Sequence, residues 1–179
     1  MGPFPSLQAS GAWLLGLAGL AGLLAPARGQ GLNGPEDFGR WQSRPSHCRL
    51  RQTSSSAGAS PATRGCRSVR IDQQLPGLLS LRFSEASADG PLGSPQLTLA
   101  GVLQPGSRAM NCRDGRCQPQ WPMTLQVSAL AARGLGARAE LSQLPQARLA
   151  KGICHLDARG VRCQAEDSDG PLWQVEADW

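Results

Sequence analysis

Six cysteines, all between positions 48 and 163, constrain this 179-residue chain more than any other feature. An even number of them in an exported chain implies disulfides, and local spacing narrows the pairing. The run Asn111-Cys112-Arg113-Asp114-Gly115-Arg116-Cys117 has Asp-Gly at its centre, a strong hairpin signal because both positions accept positive φ. Folding the chain there sets Arg113 opposite Arg116 and brings Cys112 opposite Cys117, at a separation that suits a cross-strand bridge. In the run from Cys154 to Cys163, a loop from Asp157 to Gly160 pairs Leu156 with Val161 and brings the two cysteines face to face. Cys48 is then left for Cys66. No Cys-x-x-Cys or His-x-x-x-His is present, and the two histidines, His47 and His155, each abut a cysteine. Neither a metal nor a cofactor is expected from these spacings.

Export is argued from the start of the chain. Gly11 to Ala25 carries no charged or strongly polar side chain. It is shorter than the roughly 20 residues of a membrane-spanning helix, but it suits the apolar core of a secretory signal. Small residues follow at Ala25, Ala27 and Gly29, so residues 1–27 are expected to be a signal peptide cleaved after Ala27 or Gly29. The destination is then periplasmic or extracellular.

Past the signal, residues 28–65 suggest a basic, largely irregular arm, and residues 66–179 a β-rich domain. Val69-Arg70-Ile71, Leu79-Ser80-Leu81-Arg82-Phe83, Leu97-Thr98-Leu99, Leu125-Gln126-Val127 and Trp173-Gln174-Val175 alternate apolar and polar side chains between Gly and Pro turns. That period of two predicts an all-β fold, a small antiparallel sheet or sandwich built from disulfide-bridged hairpins. Residues 129–139 are Ala- and Leu-rich and tolerate one short helix, which Gly134 and Gly136 would interrupt. Two series align with each other: Leu81 to Ser84 followed by the Cys112–Cys117 turn, and Leu125 to Ser128 followed by the Cys154–Cys163 turn. Their offset of about 42 to 46 residues suggests a pseudo-repeat of two or three hairpins, with Cys48 and Cys66 in a degenerate first copy.

Charge is unevenly spread. Residues 28–82 carry nine arginines against Glu36, Asp37 and Asp72, whereas the remainder is nearly neutral. Arg40, Arg44, Arg49, Arg51, Arg64, Arg67 and Arg70 are therefore the candidate anion-binding group, suited to an anionic envelope polymer or lipid surface. Nucleic acid is not expected, because the basic segment offers one Trp and no Tyr for base stacking. A second candidate is a rigid recognition loop formed by Arg113, Asp114, Gly115 and Arg116, presented to a protein partner. No nucleophile motif of the Gly-x-Ser-x-Gly kind occurs, so no catalytic residue is assigned. The expectation is a non-enzymatic binding or structural protein of the cell envelope or extracellular space. The alternatives are a small secreted enzyme or protease inhibitor acting through a bridged hairpin, and a basic protein binding anionic polymer or lipid. Glu166 to Gly170 gathers carboxylates but lacks the length of a calcium loop, so a polar turn is expected there. Trp121, Trp173 and Trp179 are weighed as sugar-stacking rings, with Trp173 assigned to the core.

Overall fold

Alternating side chains bury one face of a strand and wet the other, and twelve segments of this chain pair on that basis. A computed structural model describes residues 38–53, 61–85, 94–135, 147–168 and 170–179. The signal segment and its cleavage sites lie outside the described residues. The strands are β1 (Gly39–Ser43), β2 (His47–Thr53), β3 (Ala62–Gly65), β4 (Ser68–Leu75), β5 (Leu78–Ser84), β6 (Gln96–Leu103), β7 (Asn111–Arg113), β8 (Arg116–Gln118), β9 (Met123–Arg133), β10 (Ala147–Leu156), β11 (Gly160–Asp167) and β12 (Leu172–Asp178). They form one sheet in the order β3-β2-β12-β11-β10-β9-β6-β5-β4-β1-β8-β7. Every pairing is antiparallel except the single β1–β8 contact, which is parallel.

The sheet curls until it closes. β1 and β2 are consecutive stretches of one bent strand, separated by Arg44-Pro45-Ser46, yet β1 pairs with β4 and β2 pairs with β12. The paired residues can be followed around the wall from Gly39 through Gln73, Leu79, Gly101, Val127, Gly152, Ala165 and Trp173. The path returns to the bent strand at Gln52, well past its starting point. That offset is the shear of a closed barrel, here of eight walls counting β1–β2 as one.

Leu50, Ile71, Leu81, Phe83, Leu99, Leu125, Leu156 and Val175 fill the interior and are all buried. Arg40, Gln42, Arg49, Arg51, Arg162 and Gln164 are exposed on the outside, where a membrane-embedded barrel presents apolar side chains. Among the described residues no helix is long and apolar enough to cross a membrane. One end of the barrel is closed by Trp41, Trp121 and Trp179, whose ring centroids lie 4.9 to 5.7 Å apart. Trp121 stacks on Trp179 and Trp41 meets both edge-on, and all three rings are partly buried, whereas Trp173 is buried in the core.

Three disulfides join Cys48 to Cys66, Cys112 to Cys117 and Cys154 to Cys163, which points to an oxidising environment. The two tight hairpins occupy different settings. β10 and β11 are full strands of the barrel wall, whereas β7 and β8 form a small flap that joins the sheet through β1. The flap is tied down by the buried Gln73. Its Nε2 donates to the Met110 carbonyl at 3.1 Å, and its Oε1 accepts from the Met110 amide at 2.8 Å.

Two expectations require correction. Residues 39–53 and 62–65 are not an irregular arm, because they form β1, β2 and β3, and no domain boundary falls at 66. Pairing with β4 and β12 supplies the backbone partners that the local sequence does not advertise. Residues 129–133 are strand, not helix, since β9 pairs with β6 on one edge and β10 on the other, burying Leu125, Val127 and Leu130. Residues 136–139 lie outside the described residues.

Candidate functional site: an arginine groove on the barrel wall

The β4–β5 hairpin turns at Pro76-Gly77, where Gly77 takes φ +83°, and a register shift between Gln73 and Leu75 then places Arg70 directly opposite Arg82. Asp72 lies opposite Ser80 on the same outer face. On the other edge of β4, β1 sets Arg40 opposite Asp72 and Gln42 opposite Arg70. The flap then adds Arg116, the parallel partner of Arg40, anchored by the Arg40 amide donating to the Gly115 carbonyl at 3.0 Å. The result is an open groove of about 920 Å³ lined by Arg40, Arg70, Arg82, Arg116 and Asp72, with Phe38 at its rim.

Charge in this groove is unbalanced. Asp72 pairs with Arg70 Nε at 2.8 Å and with Arg40 Nε at 3.0 Å. Among the described residues it is the one carboxylate within ion-pair distance of any of the four arginines. Arg82 is half-buried, and its Nε is buried with no hydrogen-bond partner. Burial, and then the neighbouring Arg70 charge, push the Arg82 guanidinium below its ordinary value, while Asp72 partly offsets them. Like charges set directly opposite across a sheet destabilise it, and Arg70–Arg82 and Arg40–Arg116 are two such pairs. A third, Arg113–Arg116, spans the flap turn, where Asp114 and Gly115 both hold positive φ. Local conflicts of this kind gather at functional sites.

A second, smaller groove of about 460 Å³ lies on the outer face of β2, β12, β11 and β10, lined by Arg49, Arg51, Arg162, His155 and Glu176. Arg162 is fully engaged there. It bonds Glu176 at 2.8 Å and Asp178 at 2.9 Å, and donates to the Val161 and Ala177 carbonyls. Glu176 is the register partner of Arg49, but its carboxylate pairs with Arg162, and among the described residues Arg49 and Arg51 have no ion pair. His155 faces outward while Cys154 beside it is buried.

The seven arginines singled out in the sequence thus divide. Arg40 and Arg70 enter the first groove, and Arg49 and Arg51 the second. Arg44 is exposed at the corner between β1 and β2, Arg64 pairs with Glu85 at 3.3 Å, and Arg67 is exposed beside Cys66. Arg116, Asp114 and Gly115 of the recognition loop line the first groove. Arg82 and Asp72 were not singled out: reflection about the Pro76-Gly77 turn alone would set Arg70 opposite Phe83, and the register shift between Gln73 and Leu75 is what brings Arg70 opposite Arg82. Of the carboxylates from Glu166 onward, Asp167 turns inward to meet Arg148 at 2.8 Å and Glu166 faces out, while Asp169 lies outside the described residues. No protein-family model, curated protein or solved structure matches the chain.

Proposed function

We propose that this is an exported, non-enzymatic binding protein of the cell envelope or extracellular space, and that its ligand carries oxoanion groups held in the arginine groove. The observation that carries the reading is Arg82. It is half-buried beside Arg70, and among the described residues its Nε lacks a hydrogen-bond partner and no carboxylate lies within ion-pair distance. A guanidinium matches sulfate, phosphate or carboxylate by paired N–H groups and keeps its proton at any physiological pH. Four of them therefore supply recognition and no proton-transfer group, which favours binding over catalysis. The signal-like N-terminus and the three disulfides support export.

Calorimetric titration of the mature protein with pyrophosphate at low salt tests this reading. Binding is expected to weaken with salt. Arg82→Gln should reduce affinity by about tenfold, corresponding to one lost charge-assisted contact of about 1.4 kcal/mol, without loss of fold. Equal affinity of Arg82→Gln and wild type would remove the groove as the binding site.

A further inference from the structure

Both grooves flank the same bent strand. Along its outer face β1 presents Arg40 and Gln42, the corner presents Arg44, and β2 presents Arg49 and Arg51. Arg116 stands beside Arg40 at one end of this line, Arg82 lies across β4 from Gln42, and the second groove opens at the other end. Among the described residues Arg44, Arg49, Arg51, Arg82 and Arg116 form no ion pair, whereas Arg162, which lies off the line, has donors engaged by Glu176, Asp178 and two carbonyls. The unpaired cations of the two grooves and the corner thus follow the bent strand from one groove to the other. At the rise of an extended strand, Arg40 to Arg51 spans up to about 35 Å, far longer than one oxoanion.

Resting on the groove reading above, we infer that the ligand is a linear polymer bearing phosphate or sulfate groups at intervals, laid along β1 and β2 so that one chain occupies both grooves. The first groove seats one oxoanion between Arg82, Arg70 and Arg116. Arg44 bridges the corner, and Arg49 and Arg51 seat further groups of the same chain. A polymer satisfies both grooves in one association event, since the second contact forms at the high local concentration set by the first. Single-stranded nucleic acid fits less well, because Phe38 is the one strongly exposed aromatic ring among the described residues.

The test compares short and long ligands on wild type, Arg82→Gln/Arg116→Gln and Arg49→Gln/Arg51→Gln, each checked for its thermal midpoint. The short ligand is pyrophosphate, and the long ones are inorganic polyphosphate and dextran sulfate of a length that spans the track. Wild type is expected to bind the long chains about a hundredfold more tightly per chain than the short ligand. Arg49→Gln/Arg51→Gln should remove most of that gain and leave pyrophosphate binding unchanged. Preference for polyphosphate or for dextran sulfate identifies which oxoanion the track favours. Long-chain affinity that survives Arg49→Gln/Arg51→Gln overturns the two-groove track while the groove reading stands. Insensitivity of both ligands to Arg82→Gln/Arg116→Gln overturns the groove reading as well. Binding to anionic lipid vesicles, with none to either soluble chain, would overturn the polymer assignment.

Discussion

The Asp157 carboxylate accepts the amide N–H groups of Arg159 at 2.7 Å and Gly160 at 3.1 Å, closing the loop between β10 and β11. Those bonds, the Arg159 amide foremost, hold the carboxyl below its ordinary value. The folded value is therefore lower than the unfolded one. The stabilisation it brings is complete above the ordinary aspartate value, near pH 3.9, and fades as pH falls through the folded value. Asp157→Asn keeps an oxygen acceptor but cannot titrate. Below about pH 4 the thermal midpoint of wild type should therefore fall more steeply than that of the Asn variant. Asp157→Ala should lower the midpoint at neutral pH as well. Parallel pH profiles for wild type and Asp157→Asn would show that the loop does not draw on this carboxylate. Arg82 is the opposite case at the same scale: burial and Arg70 disfavour its charge, and Asp72 offsets them only in part.

Among elements, the hairpins were legible in the sequence wherever pairing is a reflection about a turn. Asp114-Gly115 implies Cys112 opposite Cys117, and Asp157 to Gly160 implies Cys154 opposite Cys163, which are the registers observed. Nothing comparable announces β1 and β2, whose partners lie far along the chain in β4 and β12, so a polar, Arg-rich stretch resembled a loose arm. The same distance hides the groove, which needs β1, β4, β5 and β8 side by side before its arginines meet. The flap joins these two kinds of information. Its hairpin is local, but its place depends on Gln73 and on the Gly115 carbonyl contact with β1. Replacing Cys112 and Cys117 together by Ala should cost about 2 kcal/mol, as expected for so short a bridged loop. Hydrogen exchange should quicken in β7 and β8 but not in β9 to β11, and pyrophosphate affinity should drop as Arg116 loses its position. Uniformly faster exchange across the barrel would instead make this bridge a support of the whole fold.

For the molecule as a whole, the decisive feature is that the first strand joins both ends of the meander, so the wall has no free edge where β4 and β12 would otherwise end. Closure was not readable from alternation, which reports which face of a strand is buried but not whether a sheet bends round to meet itself. Trp41 is where closure is most exposed to test. It belongs to β1, yet its ring lies 4.9 Å from Trp179, which follows β12, and 5.7 Å from Trp121. An open sheet would feel Trp41→Ala only at β1 and its neighbour β4. In a closed barrel the loss reaches the β12 side too, because the rings that β1 holds against the end of β12 are released. Trp41→Ala should therefore destabilise the protein by about 3 kcal/mol, at the lower end for a large ring because Trp41 is only partly buried. The remaining tryptophans should emit at longer wavelength, and exchange should accelerate in both β4 and β12. Trp41→Phe, which keeps a ring in the cluster, should restore much of each property. Acceleration confined to β1 and β4 would mean that β2 alone holds the β12 side, and the barrel would then be a curled sheet whose ends merely touch.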